Sequence, residues 1–142
     1  MTTEERLAEV RRQKNEAYEK LDAILKEEYQ LEHEHELAEA ENAVGKYYKK
    51  KKAGMGEEEI FHVQSVRRGK NEGDLVRVCG EGLSYSSFLI GDVYLNCWNR
   101  QIIEVGEFLE EWMQIPEKEY LETKRWMINT FLKDIVVDAN ES

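Results

Sequence analysis

The stretch Glu41-Asn42-Ala43-Val44-Gly45-Lys46-Tyr47-Tyr48-Lys49 divides this chain into two kinds of sequence. Upstream, Thr2 to Asn42 contains neither glycine nor proline and is dense in Glu, Lys, Arg, Ala and Leu, the strong helix formers. Downstream, glycines recur, and β-branched and aromatic residues gather in short runs. The expected fold class is α+β: a long N-terminal helix, a strongly bent antiparallel sheet or small barrel of five to six strands, and a C-terminal helix. The expected division is residues 1–43 as a charged oligomerisation helix and 44–137 as a small β-module with its closing helix. Residues 138–142 read as a disordered polar tail.

Charge reverses at the same boundary. Residues 1–42 hold thirteen acids against six bases, a net of −7, whereas residues 43–56 hold five lysines and no acid. Residues 104–142 return to −6, and the whole chain carries −10. A summed field of that sign repels phosphate, which argues against bulk nucleic-acid binding. Hydrophobic content of 41% is too high for a fully disordered chain. No run of eighteen apolar residues occurs, so no transmembrane helix is expected. The start, Met1-Thr-Thr-Glu-Glu-Arg6, lacks the apolar stretch of a signal peptide, and a cytoplasmic protein is the expectation. Cys79 and Cys97 lie in apolar contexts and read as two buried thiols.

Thr2 and Glu5 have the spacing of a helix-capping box. A heptad follows from there. Leu7, Lys14, Leu21, Glu28 and His35 occupy its a positions; Val10, Ala17, Ile24, Leu31 and Ala38 occupy d. Tyr18 and Leu25 widen the stripe. The d column is apolar, and the a column is interrupted by Lys14 and Glu28. In an antiparallel pair centred on Leu21, Lys14 of one copy lies beside Glu28 of the other, because each is seven residues from the centre. A parallel pair brings like charges together twice. The pattern therefore favours an antiparallel homodimer, with packing of the helix on the chain's own β-module, or a solvated helix held by charge pairs, as the other readings of the stripe. His33 and His35 are two apart, which places them about 200° apart around a helix, so they cannot share one metal ion.

Beyond Gly45 the strand candidates are Tyr47 onward, Ile60–Val66, Leu75–Cys79, Ser84–Trp98, Gln101–Val105 and Trp112–Ile115. Tyr47-Tyr48 with its lysines reads as an edge strand, since edge lysines discourage unwanted pairing. Turns are expected at Arg67–Gly73, at Gly80-Glu81-Gly82 and at Trp98-Asn99-Arg100, and Gly91 reads as a bulge or bend. Pro116 stops the last strand and opens a helix whose apolar side is Tyr120, Leu121, Met127, Ile128, Phe131, Leu132 and Ile135. Trp98, Trp112 and Trp126 read as core or rim aromatics.

No phosphate-binding glycine loop, C-x-x-C or H-E-x-x-H pattern is present. His62 is the one histidine of the β-module and reads as a cross-strand packing residue, so the chain is expected not to be an enzyme and to carry no cofactor or metal. The candidate binding surface is the basic segment Lys46, Tyr47, Tyr48, Lys49, Lys50, Lys51 and Lys52, extended by Arg67, Arg68 and Arg77 if the strands are neighbours. Cations interleaved with aromatic faces are what single-stranded nucleic-acid platforms use. A solvated edge, or a surface for an acidic protein, are the competing readings of the same residues. A third function is a small-molecule binder that holds a nucleotide-like ligand between the arginines and tyrosines.

The layout, together with Val44-Gly45-Lys46-Tyr47-Tyr48-Lys49 and Ile115-Pro116-Glu117-Lys118-Glu119-Tyr120, resembles small accessory proteins of phages and mobile elements. These carry a similar Gly-Lys-Tyr-Tyr start to a small β-module. The resemblance implies a protein made in a bacterial cytoplasm that covers a host partner's surface, as small inhibitors of host defence do. It carries no catalytic residue across.

Overall fold

A computed structural model describes residues 1–54, 56–69, 74–87 and 93–141. Two compact units are present, residues 1–35 and 36–142. The elements are α1 (Thr3–Ala43), β1 (Tyr47–Lys50), β2 (Glu57–Arg67), β3 (Arg77–Ser87), β4 (Val93–Glu104), α2 (Val105–Glu111), β5 (Trp112–Ile115) and α3 (Glu117–Glu141).

α1 starts where the capping spacing places it: the Thr2 hydroxyl accepts the Glu5 amide at 3.1 Å. It ends where Gly45 takes φ = 84°, a left-handed conformation costly for residues with a Cβ. The Gly45 amide then donates to the Val63 carbonyl at 2.8 Å, and the Val63 amide donates to the Lys46 carbonyl at 3.1 Å. The helix end is thus fastened to β2 by a reciprocal pair of backbone bonds around Gly45. Within the second unit, the last turns of α1 bury Ala40 and Ala43 with Leu37 packed beside them, while Ala38 of the heptad stays exposed.

The sheet is antiparallel throughout, in the order β4-β3-β2-β1-β5. It is open, not a closed barrel, because β4 and β5 form its two edges. Closure is unnecessary here: both faces acquire a core from helices. One face packs Tyr48, Phe61, Val63, Val78 and Ile103 under the end of α1 and Phe108 of α2. The other packs Ile60, Leu83, Tyr85 and Ile115 under Tyr120 and Met127 of α3. Side chains alternate across a strand, so Tyr48 and Phe61 fall on the first face and Tyr47 and His62 on the second.

Several sequence expectations change. β1 is not an edge strand; it pairs with both β2 and β5. Ser84–Trp98 is not one strand but the end of β3 and the start of β4, paired antiparallel with Ser87 opposite Val93. Leu89, Val93, Leu95 and Cys97 keep one parity across that sequence, which hides the reversal. The Gly91 bulge and the tip of the Arg67–Gly73 turn fall outside the described residues. Gly80-Glu81-Gly82 lies inside β3, not in a turn, and a Cβ on Gly80 would fall 1.8 Å from the His62 carbonyl oxygen. Close approach of two backbones, not a reversal, is what that glycine serves.

Trp98-Asn99-Arg100 is also strand. Gly80 faces Gln101 and Gly82 faces Trp98, so Asn99 and Arg100 are absorbed as a bulge in a continuous β4. Val105, read as strand, begins α2, which carries the chain from one sheet edge to the other. Cys97 is exposed rather than buried; Cys79 is buried, and both are free thiols. Trp112 is core, whereas Trp98 and Trp126 are exposed. On α3, Leu121 and Leu132 are exposed, Ile135 lies outside the described side chains, and the helix runs through the polar tail to Glu141.

Phe108 joins the first core to the helix that spans it. Its ring meets Tyr48 at 4.6 Å and Phe61 at 6.2 Å, edge to face in both cases. Phe108→Ala is expected to cost about 3–5 kcal/mol of unfolding free energy in urea denaturation. Leu109→Ala, at an exposed neighbour, is expected to change it by less than about 0.5 kcal/mol.

Candidate functional site

The basic segment is divided by the strand that carries it. Alternation sends Tyr47 and Lys49 to the α3 face, and Tyr48 and Lys50 to the α2 face. Each strand lysine meets a carboxylate: Lys49 lies 3.3 Å from Glu119, and Lys50 lies 3.0 Å from Glu59. The Glu59 hydrogen bond raises the Lys50 pKa against the opposing pull of burial. Tyr48 is buried beneath Phe108, and that burial, followed by the charge of Glu39, raises its phenol pKa.

Lys51 and Lys52 occupy the exposed turn after β1. They line a cleft of about 260 Å³ with Lys50, Glu110 and Glu111, and the Lys51 amide donates to the Glu111 carbonyl at 2.8 Å. Lys46 sits half-buried at the turn from α1. Acids therefore interleave with the cations throughout this segment.

The arginines lie elsewhere. Arg67 and Arg77 face each other across β2 and β3, Arg68 follows, and Arg77 has Glu104 on its other side. Along β2, Arg67 is seven residues from Ile60, the partner of Lys49, which is about 23 Å at 3.3 Å per residue. Lys49 to Lys52 and the arginines thus lie toward opposite ends of the sheet, with only Lys46 between them, and do not form one platform.

What the register does bring together is a polar aromatic cluster beneath α3. Tyr47, His62 and Glu81 are consecutive partners across β1, β2 and β3. The Tyr47 ring stacks on His62 at 4.2 Å with an 11° tilt, and Tyr120 closes over both, 4.8 Å and 6.1 Å away. Glu81 accepts from Lys124 Nζ at 2.6 Å and from the Tyr120 hydroxyl at 3.4 Å.

Lys124 above all holds the Glu81 carboxyl below its ordinary pKa, opposed by partial burial. Burial, then the charge of Glu81, drives the Tyr120 phenol well above its usual range. Burial and the nearby Glu117 likewise raise Tyr47. His62 packs on the Tyr47 ring, which lies between it and Tyr120, so the three rings tie α3 to the sheet. The Tyr120/Lys124 spacing of four residues is visible in sequence as one helix face. The strand register that sets Glu81 opposite them is not.

The first unit offers a different surface. Leu7, Val10, Leu21, Ile24 and Leu31 of the heptad, with Tyr18 and Leu25 beside them, are each 47–59% exposed. Lys14, Ala17 and Glu28 are exposed with them. Flanking charges are paired within the helix: Arg12 with Glu9 and Glu16, and Lys26 with Asp22. Lys14 lies over the Tyr18 ring at 5.7 Å.

No family model, curated protein or solved structure matches the chain. Among the described residues, no helix is long and apolar enough to cross a membrane, and no three metal-ligating side chains converge.

Glu81 generates an acid dependence. Its folded pKa is lowered, so the unfolded chain binds the proton more readily in the window between the two pKa values. Its stabilisation is complete above the ordinary carboxylate range and disappears as pH falls through the depressed folded value. Urea midpoints of the wild type and Glu81→Gln are expected to differ at pH 7 and to converge in acid; a gap that widens in acid contradicts this assignment.

Proposed function

We propose that this chain is a non-enzymatic interaction protein whose N-terminal helix pairs antiparallel with a second copy. The observation that carries the reading is the exposed heptad stripe, a run of large apolar side chains along one helix. An exposed apolar stripe, here unbroken in its d column and interrupted at a only by Lys14 and Glu28, marks an interface more often than a solvated surface. The occupant is argued from charge: only antiparallel pairing about Leu21 sets Lys14 against Glu28 at both ends of the seam.

The sheet-bearing unit supplies the surface for a protein partner. Its lysines are interleaved with Glu59, Glu110, Glu111 and Glu119, a mixed-charge surface suited to a protein and poorly suited to a phosphate backbone. Nucleic-acid binding through Lys46–Lys52 is the second reading, and separation of the arginines from the lysines weighs against it. With the resemblance to phage accessory proteins, the sharpest form of the proposal is a phage-encoded inhibitor that covers a host defence protein in the bacterial cytoplasm.

Sedimentation velocity tests the seam. Lys14→Glu turns two attractive contacts per dimer into repulsive ones and is expected to weaken the dimer roughly ten- to thirty-fold, less so at high salt. Adding Glu28→Lys is expected to restore it, and failure of that rescue removes the antiparallel assignment. For the second reading, heparin retention at low salt is expected to be weak and little altered when Lys49 to Lys52 are neutralised; strong retention lost on neutralisation would establish nucleic-acid binding instead.

A further inference from the structure

The two edges of the sheet differ sharply. β5 is four residues long and is followed at once by Pro116, which has no amide to offer. β4 is twelve residues long and contains neither lysine nor proline. Among the described residues no strand pairs with its outer side. Tyr94, Trp98 and Ile102 along it are 51%, 39% and 44% exposed. The charged residues of β4, Arg100 and Glu104, and its bulge all lie beyond Trp98. The first half of the strand is therefore a largely apolar edge without those guards and a template for another strand.

We propose that the outer edge of β4 pairs with β4 of a second copy, antiparallel about Asn96. The occupant is read from the strand itself. The β3 register puts Tyr94, Asn96 and Trp98 on one face, opposite Ser86, Ser84 and Gly82. Leu95 and Cys97 lie on the other, opposite Tyr85 and Leu83. Turning a copy about Asn96 sets Tyr94 beside Trp98 twice on the first face. On the second face it sets Leu95 beside Cys97 twice, and Asn96 meets Asn96 at the centre. Aromatic meets aromatic, apolar meets apolar and amide meets amide, the cross-strand pairs that stabilise antiparallel sheets.

A one-residue slip would put each side chain on the wrong face. Centring on Cys97 instead sets Asn96 beside Trp98 and Tyr94 beside Arg100, which mixes the classes. The Asn99–Arg100 bulge then limits the new ladder to Tyr94–Trp98. This contact is isologous and lies on a different element from the helical seam, so it goes beyond the pairing proposed above. Each chain would carry two self-complementary surfaces and could build assemblies larger than a dimer.

Disulfide trapping in the full chain tests the register. On a Cys97→Ser background, Asn96→Cys places a thiol directly opposite its copy, within disulfide reach. It is expected to give a covalent dimer under mild oxidation on a non-reducing gel, while Tyr94→Cys on the same background is not. No cross-link from Asn96→Cys, or equal cross-linking from both, overturns the proposal.

Sedimentation separates this contact from the helical one. Leu21→Glu, which disrupts the seam at its centre, is expected to leave a dimer that becomes monomeric when Asn96→Lys is added. A monomer from Leu21→Glu alone overturns the β4 contact and leaves the helical pairing standing. If Asn96→Lys alone yields a monomer, the β4 contact stands and the helical pairing falls.

Discussion

Tyr47 and Tyr48 are adjacent residues on a central strand, and the period of that strand sends them to opposite faces. Tyr48 is pressed against Phe108 under α2, and Tyr47 stacks on His62 under α3. One dipeptide therefore commits both faces of the sheet to helices. A two-sided sheet has no need of closure, and the chain builds an open five-stranded sheet with two edges in place of a barrel. Gly45 sets the direction from which β1 enters, because its left-handed turn fastens the helix end to Val63.

The same alternation disposes of the basic segment as a single surface. A run of lysines in sequence looks like one patch, but on β1 neighbouring lysines face opposite ways, and each finds its own carboxylate. Pairing of this kind adds little stability at the surface. Its consequence is electrostatic: the two strand lysines of the positive knot are neutralised locally, which leaves the net acidic field of the chain dominant. Glu81 shows the reverse case, an acid drawn under a helix and held ionised by Lys124.

Much of the architecture was legible in the residues. Absence of glycine and proline from Thr2 to Asn42 marks α1, Gly45 marks its end, and Pro116 separates β5 from α3. The division between β3 and β4 was not legible, because Tyr85, Leu95 and Cys97 continue one alternation through a chain reversal. α2 escaped for a different reason: seven residues show too few turns for a helical period, and Val105 and Phe108 read as readily as strand. The Tyr47–His62–Glu81 cluster depends on strand register, a long-range property that no local pattern carries. Packing of Leu37, Ala40 and Ala43 in the core was equally hidden, since those positions continue a helix whose heptad points to Ala38 instead.

The antiparallel pairing proposed for the N-terminal helices turns about Leu21. Pulsed dipolar spectroscopy on singly spin-labelled protein, with both native cysteines replaced by serine, reads it directly. A label at Lys20→Cys is expected to give a short inter-chain distance, roughly the 10–20 Å of adjacent helices. A label at Thr3→Cys, eighteen residues from the centre, is expected to lie about 54 Å from its copy at 1.5 Å rise per residue. Short distances at both positions would establish a parallel pair, and no dipolar signal at either would mean that the helices do not pair; both results contradict the account.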